Sequence, residues 1–233
     1  MSFVTTDVYD AIYSFKNYDQ EVDWILAFLA EQETPTGSLL DVACGTGEHL
    51  RLLADRFDRL AGVDINDDFV AIAGQNVPSA SITQGDMGSF DLGERFDVVI
   101  CLFSSIGYVT EPEERRRAIA TMARHVASDG ALIIEPWILP EEWRGKGIHM
   151  NTVDEEGRKV VRIGRSERQE NLTTLFMEYL VGSPDEIDHF SESHMMPMSR
   201  RTLTKAPHKC RRVLRQRACL TSHVFLWIWD LKG

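Results

Sequence analysis

From residue 21 to residue 137 short apolar runs alternate with segments of helical period, and this alternation restricts the fold more than any other property of the chain. SLLDVA precedes GEHLRLLADRF, RLAGVDI precedes DDFVAIAGQ, SASITQGD follows, and FDVVICLF and GALIIEPW flank EPEERRRAIATMARHV. Unbroken runs of Val, Ile and Leu suit strands buried on both faces. Helices must then cover those faces, so the pattern predicts βαβ units around a parallel sheet. Gly130, after HVASD, is expected at the C-cap and turn that precede the last run. Beyond Trp137 the rhythm changes. KVVRIGRSERQ, NLTTLFMEYLV and IDHFSESHMM are β-branched and aromatic segments separated by EN and GSPDE turns, which predicts an antiparallel meander appended to the main sheet.

A chain of 233 residues can bury one large core without covalent staples. No stretch reaches the roughly 20 apolar residues of a membrane helix, and MSFVTTDVYD lacks the basic start and apolar run of a signal peptide, so a cytoplasmic protein without a membrane partner is expected. Cys44, Cys101, Cys210 and Cys219 form no CxxC pair and have no His at zinc spacing, which supports neither a metal site nor a disulfide framework. A net charge of −11 opposes nucleic acid as a partner. That charge is uneven: from Ser199 to Arg217 there are eight basic residues and no acid.

The first βα turn of an open α/β sheet usually carries the ligand-approaching glycines, and DVACGTG falls there. Gly45 and Gly47 are followed at the third fingerprint position by Leu50, which weakens the case for a dinucleotide, because the third glycine lets the helix pack closely beside a pyrophosphate. Asp64 lies at the end of the second strand, where a carboxylate can accept both ribose hydroxyls of a nucleoside. Asp86 closes the next strand with Met87 beside it, placed to accept from an exocyclic adenine amine. Each acid alone could be a helix N-cap. Three acids, Asp41, Asp64 and Asp86, closing three successive strands around one glycine loop favour a nucleoside site.

LLDVACGTG, GVDI, QGDM and ALIIEPW resemble the motifs of class I S-adenosylmethionine-dependent methyltransferases across roughly residues 9 to 137. CLFSSIGYV, ARHVASDGALIIEPW and VYDAIYSF are further similar to the N,N-dimethyltransferases of dTDP-linked amino sugars. The resemblance implies an α/β fold with a Rossmann-like class I methyltransferase sheet, helices on both faces and an appended antiparallel β-meander. It divides the chain into a cofactor-binding core with an N-terminal lid helix (1–137), a substrate cap (138–196) and a basic C-terminal segment with the last core strand (197–233). It implies S-adenosylmethionine as cofactor, held by Tyr13, Asp41, Ala43, Gly45, Gly47, Asp64, Ile65, Asp86, Met87 and Leu102. Ser104, Ser105, His125, Trp137 and Tyr179 would meet a nucleotide-linked amino sugar, and a homodimer is compatible with this assignment.

Methyl transfer from a sulfonium to an amine is an in-line displacement that needs alignment and a neutral nucleophile, but no metal. The resemblance puts His125 at the sugar amine and Tyr13 over the sulfonium end of the cofactor. A small-amine N-methyltransferase, an NAD(P)-dependent oxidoreductase and a non-catalytic nucleoside-binding module are the competing readings. The resemblance stops near Met195. The family has an acidic helix and a glycine-containing turn in the stretch that here is basic and contains Pro207. Either this segment meets a substrate diphosphate or the reading frame is locally altered, and the abruptness of the change points to the second.

Overall fold

The computed structural model describes residues 6–14, 16–138, 140–145, 147–198, 212–218 and 224–230, the last two segments as backbone strands. The chain forms two compact units, Met1–Lys16 with Ile138–Ser199 and Asn17–Trp137 with Arg200–Gly233.

The second unit carries the predicted α/β alternation: α2 (Tyr18–Glu31), β1 (Ser38–Val42), α3 (Glu48–Leu53), β2 (Arg59–Asp64), α4 (Asp67–Asn76), β3 (Ala80–Gln84), β4 (Phe96–Cys101), α5 (Pro112–Arg124) and β5 (Val126–Ile134). The helix starts follow local chemistry. Asn66 Oδ1 accepts the Asp68 and Phe69 amides at 2.9 and 3.4 Å to cap α4, and α5 begins on Pro112 with Glu113 and Glu114 in its first turn. Two further strands, β10 (Arg212–Ala218) and β11 (Val224–Asp230), complete a seven-stranded sheet of order β3-β2-β1-β4-β5-β11-β10. The five central strands are mutually parallel, whereas β11 runs antiparallel to β5 and to β10. The apolar run VFLWIW falls in β11, within the 197–233 segment where a last core strand is expected, while residues 199–211 of the basic stretch lie outside the described residues.

Strand pleating splits the core into two layers. Leu39, Val98, Ile100 and Ile133 face α2, α3 and α4, while Leu40, Val42, Val99 and Leu132 face Ala118, Ile119 and Met122 of α5. Gly130 closes no helix: α5 ends on Arg124, and Gly130 lies within β5, where a Cβ would stand 2.5 Å from the Asp97 carbonyl oxygen. Strand crowding at the β4–β5 register shift thus requires the glycine.

The first unit contains α1 (Thr6–Tyr13) and a four-stranded antiparallel sheet of β6 (Ile148–Glu155), β7 (Arg158–Gln169), β8 (Leu172–Gly182) and β9 (Ile187–Pro197). This is the antiparallel meander expected after Trp137. The meander is a separate sheet, with β6 as an additional edge strand. The N-terminal helix groups with this sheet instead of with residues 17–137, because Val8 and Ile12 bury themselves on Val160 and Tyr179. No helix among the described residues is long and apolar enough to cross a membrane.

Candidate active site

The chain runs β1→β2→β3 to one side and returns through β4 to the other, so the strand order reverses between β1 and β4, and ligands of such sheets bind outside the strand ends there. Left-handed backbone concentrates at this point. Ala43, Gly45 and Gly47 after β1 have φ of 61°, 56° and 86°, and Phe103 and Ser104 after β4 have φ of 52° and 57°. Such conformations cost side-chain-bearing residues about 1–2 kcal/mol each and gather where function fixes the backbone. The two glycines serve different ends. A Cβ on Gly47 would press on Ala73 and Val77 of the α4 region, whereas a Cβ on Gly45 would meet nothing within 4 Å. Gly45 therefore borders open space.

Asp64 closes β2 beside that space. Its Oδ2 accepts the Gly45 amide at 2.8 Å and its Oδ1 accepts the Asn66 amide at 2.9 Å. Burial raises its pKa, against the lowering effect of the amides of Asn66, Gly45 and Ile65. An ionised carboxylate has about four acceptor positions, so these amides leave acceptor capacity for a ligand's hydroxyl. The next residue, Ile65, is 60% exposed, an apolar side chain left in water beside a buried acid. Asp41 and Leu102 are buried, and burial together with the negative charge of Asp41 pushes up the Cys44 and Cys101 thiols. Asp86 is exposed, with Oδ1 accepting the Gly88 amide at 2.7 Å, and Met87 is half-buried beside it.

After β4 the serines are engaged locally: Ser104 Oγ donates to the Pro136 carbonyl at 3.1 Å and Ser105 Oγ to the Leu102 carbonyl at 2.8 Å. The Phe103 amide donates to Glu135 Oε2 at 2.7 Å. Glu135 thus holds a backbone amide, and half-buried Trp137 follows two residues later.

His125 does not join this group. It caps the C-terminus of α5 immediately before β5, at the opposite end of the sheet from the glycine loop, and β5 runs beside β4 from Phe96↔Val126 to Cys101↔Ile134, about 15–20 Å at ordinary strand rise. It is buried, stacked on Phe90 with centroids 4.4 Å apart. Its Nε2 accepts the Leu92 amide at 3.1 Å, and its Nδ1 donates to the Thr121 carbonyl at 2.8 Å. Both nitrogens are committed to the fold, so the expected contact with a substrate amine is replaced by a structural role.

In the first unit, Tyr13 lies 4.7 Å from Tyr9 ring to ring, and the Arg162 guanidinium carbon stands 4.8 Å from the Tyr13 ring centroid. Arg162 Nη2 also donates to Asn151 Oδ1 at 2.8 Å. Tyr179 is buried against Phe190, and its hydroxyl reaches Glu192 Oε2 at 3.4 Å. Burial raises the phenol's pKa, and Arg162 opposes that shift. Arg162 and Glu192 are absent from the sequence-derived site. The alternation of KVVRIGR, with Val160, Arg162 and Gly164 on one face, was the available signal for Arg162. Among the described residues no group of three or more His, Cys, Asp or Glu is placed to hold a metal.

The reversal of strand order, the open glycine loop and the amide-held acid after the second strand define a methyltransferase-type α/β fold. A profile described as a methyltransferase domain matches residues 39–130. The dTDP-3-amino-3,6-dideoxy-alpha-D-glucopyranose N,N-dimethyltransferase of Streptomyces fradiae is 38% identical over 195 residues, 82% of this chain and 76% of that protein. The dTDP-3-amino-3,4,6-trideoxy-alpha-D-glucopyranose N,N-dimethyltransferase of Streptomyces venezuelae is 35% identical over 82% of each chain. SAM-bound CalS10, an amino pentose methyltransferase from Micromonospora echinaspora involved in calicheamicin biosynthesis, superposes with a TM-score of 0.86 at 32% identity, covering 100% of this chain and 98% of its own. The chain belongs to the dTDP-amino-sugar N,N-dimethyltransferase family.

Proposed function

We propose that this protein transfers methyl groups from S-adenosylmethionine to the amino group of a dTDP-linked deoxyamino sugar in natural-product biosynthesis, in two successive rounds. The observation that carries the reading is Asp64, whose two oxygens are fixed by loop amides beside the open position at Gly45. Asp64 would accept the ribose hydroxyls, Ile65 would cover the adenine, and Asp86 with Met87 would border its amine edge. Asp41, Ala43, Gly45, Gly47 and Leu102 would form the remaining wall. S-adenosylmethionine, when bound, supplies an electrophilic methyl carbon.

Ser104, Ser105, Trp137 and Tyr179 are assigned to the substrate, and Tyr13 to the sulfonium end of the cofactor. With His125 committed to the fold, amine activation falls to desolvation and orientation, for which Tyr13, fixed by Arg162, is the assigned group. The protein would act in the cytoplasm as a homodimer. Incubation with S-adenosylmethionine and dTDP-3-amino-3,6-dideoxyglucose, read by mass spectrometry, should give sequential gains of one and two methyl groups. Calorimetric binding of NAD without any binding of S-adenosylmethionine would refute the assignment.

A further inference from the structure

Arg162, Tyr179, Glu192 and His194 lie along the face of the antiparallel sheet that α1 covers, the face that also carries Val160, Val181 and Phe190. The register sets them out in successive rows. Asn151, Arg162, Tyr179 and Phe190 stand side by side across β6–β9, Glu192 shares the next row with Gly164 and Met177, and His194 stands one row further, opposite Leu175. One oxygen of Glu192 accepts from both neighbours, the Tyr179 hydroxyl at 3.4 Å and His194 Nε2 at 3.3 Å. All three side chains are buried, those of His194 and Glu192 to 8% and 7% of full exposure. Arg162 meets the same phenol, where its charge and its hydrogen bond oppose the effect of burial, and its guanidinium carbon stands 4.8 Å from the centre of the Tyr13 ring. Contacts thus run without a break from His194 through Glu192, Tyr179 and Arg162 to Tyr13, inside one compact unit.

Packing alone does not place the Arg162 guanidinium. Gly164, two residues further along β7 and on the same face, gives it no side wall: among the described residues a Cβ there would meet only Met177 Cγ at 3.8 Å and the Phe176 carbonyl at 3.9 Å. The position of Arg162 is therefore set by its polar partners, Asn151 and Tyr179, and by the Tyr13 ring. A buried carboxylate with an imidazole adds little to stability, because desolvation offsets the attraction, and apolar residues of similar size would fill the same volume. What the pair supplies is one hydrogen-bonded arrangement in place of several. With the Tyr179 hydroxyl proton directed to Glu192, the phenol oxygen is left to accept from Arg162, and the guanidinium is held over Tyr13.

We propose that Glu192 and His194 are positioning residues for methyl transfer, acting through Tyr179 and Arg162 on the ring of Tyr13. The proposal rests on the assignment of Tyr13 to the sulfonium end of the cofactor. Glu192→Gln keeps the shape of the side chain and withdraws its charge. With S-adenosylmethionine and dTDP-3-amino-3,6-dideoxyglucose both varied, kcat should fall about 5- to 20-fold while both KM values stay within about twofold, since a small misplacement at the reacting centre acts on the transition state. His194→Gln should lower kcat less, and Glu192→Asp, which retains the charge at shorter reach, should recover part of the loss. Added to Arg162→Leu, Glu192→Gln should cost little more than Arg162→Leu alone, because both interrupt one series of contacts. The aromatic NMR signals of Tyr13, assigned with Tyr13→Phe, should shift in Glu192→Gln and report the link without turnover. Wild-type kcat in both Glu192→Gln and His194→Gln, an unmoved Tyr13 ring, or losses that multiply in the double variant would overturn the proposal. Should Glu192→Gln not fold, His194→Gln decides alone: a lowered kcat with a shifted Tyr13 ring upholds the series and wild-type values overturn it. A wild type that leaves the sugar unmethylated, with the Tyr13 signals still shifting in Glu192→Gln, would refute the substrate assignment and leave the link from Glu192 to Tyr13 standing.

Discussion

Replacement of Asp64 by Asn separates the two demands on that residue. The carboxylate accepts the Gly45 amide on one oxygen and the Asn66 amide on the other, with acceptor capacity left for a ribose hydroxyl. An Asn side chain has a single oxygen, so it can serve only one amide, and its NH2 group faces the other amide and one of the hydroxyls. Loss of a charge-assisted hydrogen bond to ligand is worth about 1.5–3 kcal/mol, which weakens binding of S-adenosylmethionine by roughly 10- to 150-fold. The stability of the unliganded protein should move the other way. Burial raises the folded-state pKa of Asp64, so its stabilising contribution is present below the ordinary carboxylate range and is lost as pH rises through the raised value. Asn resembles the protonated acid at all pH values. The two proteins should therefore melt alike in acid, and the variant should gain on the wild type as pH rises toward neutrality. Calorimetric titration gives the first quantity and thermal melts between pH 4 and 8 the second. Unchanged binding, or a variant that is less stable by the same margin at every pH, would refute the reasoning.

Gly45→Ala should cost about 1–2 kcal/mol of stability for a left-handed alanine, and a larger factor in cofactor affinity, since its Cβ enters the open position; melts and calorimetry on one sample compare the two. His125→Gln should destabilise the fold by about 1–3 kcal/mol through loss of a buried, doubly bonded ring, yet leave turnover and its pH profile unchanged at low temperature. Arg162→Leu, which removes the cation beside Tyr13 and the bond to Asn151, should lower kcat with little change in the KM for S-adenosylmethionine, and Arg162→Lys should restore only part of it.

The central sheet was legible because its strands are unbroken apolar runs that no other element accommodates, and the place of Asp64 at the end of β2 was legible because it closes one of those runs. His125 was misplaced for a definite reason: sequence proximity to GALIIEPW conceals that the strand between them crosses the whole sheet, and the two ends of a strand face opposite edges. Strand β6 escaped notice because IHMNTVDE has apolar residues on a face that remains exposed, leaving no contrast between buried and solvated positions. The place of α1 was hidden as well. Its Val8, Ile12 and Tyr13 specify a helix with an apolar side, and nothing local says which sheet that side will cover.

FSS and EPW read in sequence as two separate linings of a substrate pocket, whereas in the structure one holds the other. Phe103 and Ser104 are consecutive left-handed residues, a cost of about 2–4 kcal/mol together. Against it stand the bond from the Phe103 amide to the Glu135 carboxylate at 2.7 Å, about 1.5–3 kcal/mol, and that from Ser104 Oγ to the Pro136 carbonyl, about 0.5–1.5 kcal/mol. The two terms are of equal size, so removal of either bond should let the loop after β4 relax toward ordinary backbone. Glu135→Ala deletes the larger one. Its expected consequence is a several-fold rise in the KM for the dTDP-sugar, as Ser104 and Ser105 leave their positions, with the affinity for S-adenosylmethionine changed far less because Asp64 and Gly45 are untouched. Glu135→Gln keeps an acceptor oxygen at the same reach and should recover most of the loss, since it gives up only the charge. Steady-state kinetics with both substrates varied distinguishes these outcomes. An Ala variant with wild-type KM for the sugar would mean that the left-handed pair is held by the strand ends alone, and that Glu135 is dispensable to the loop.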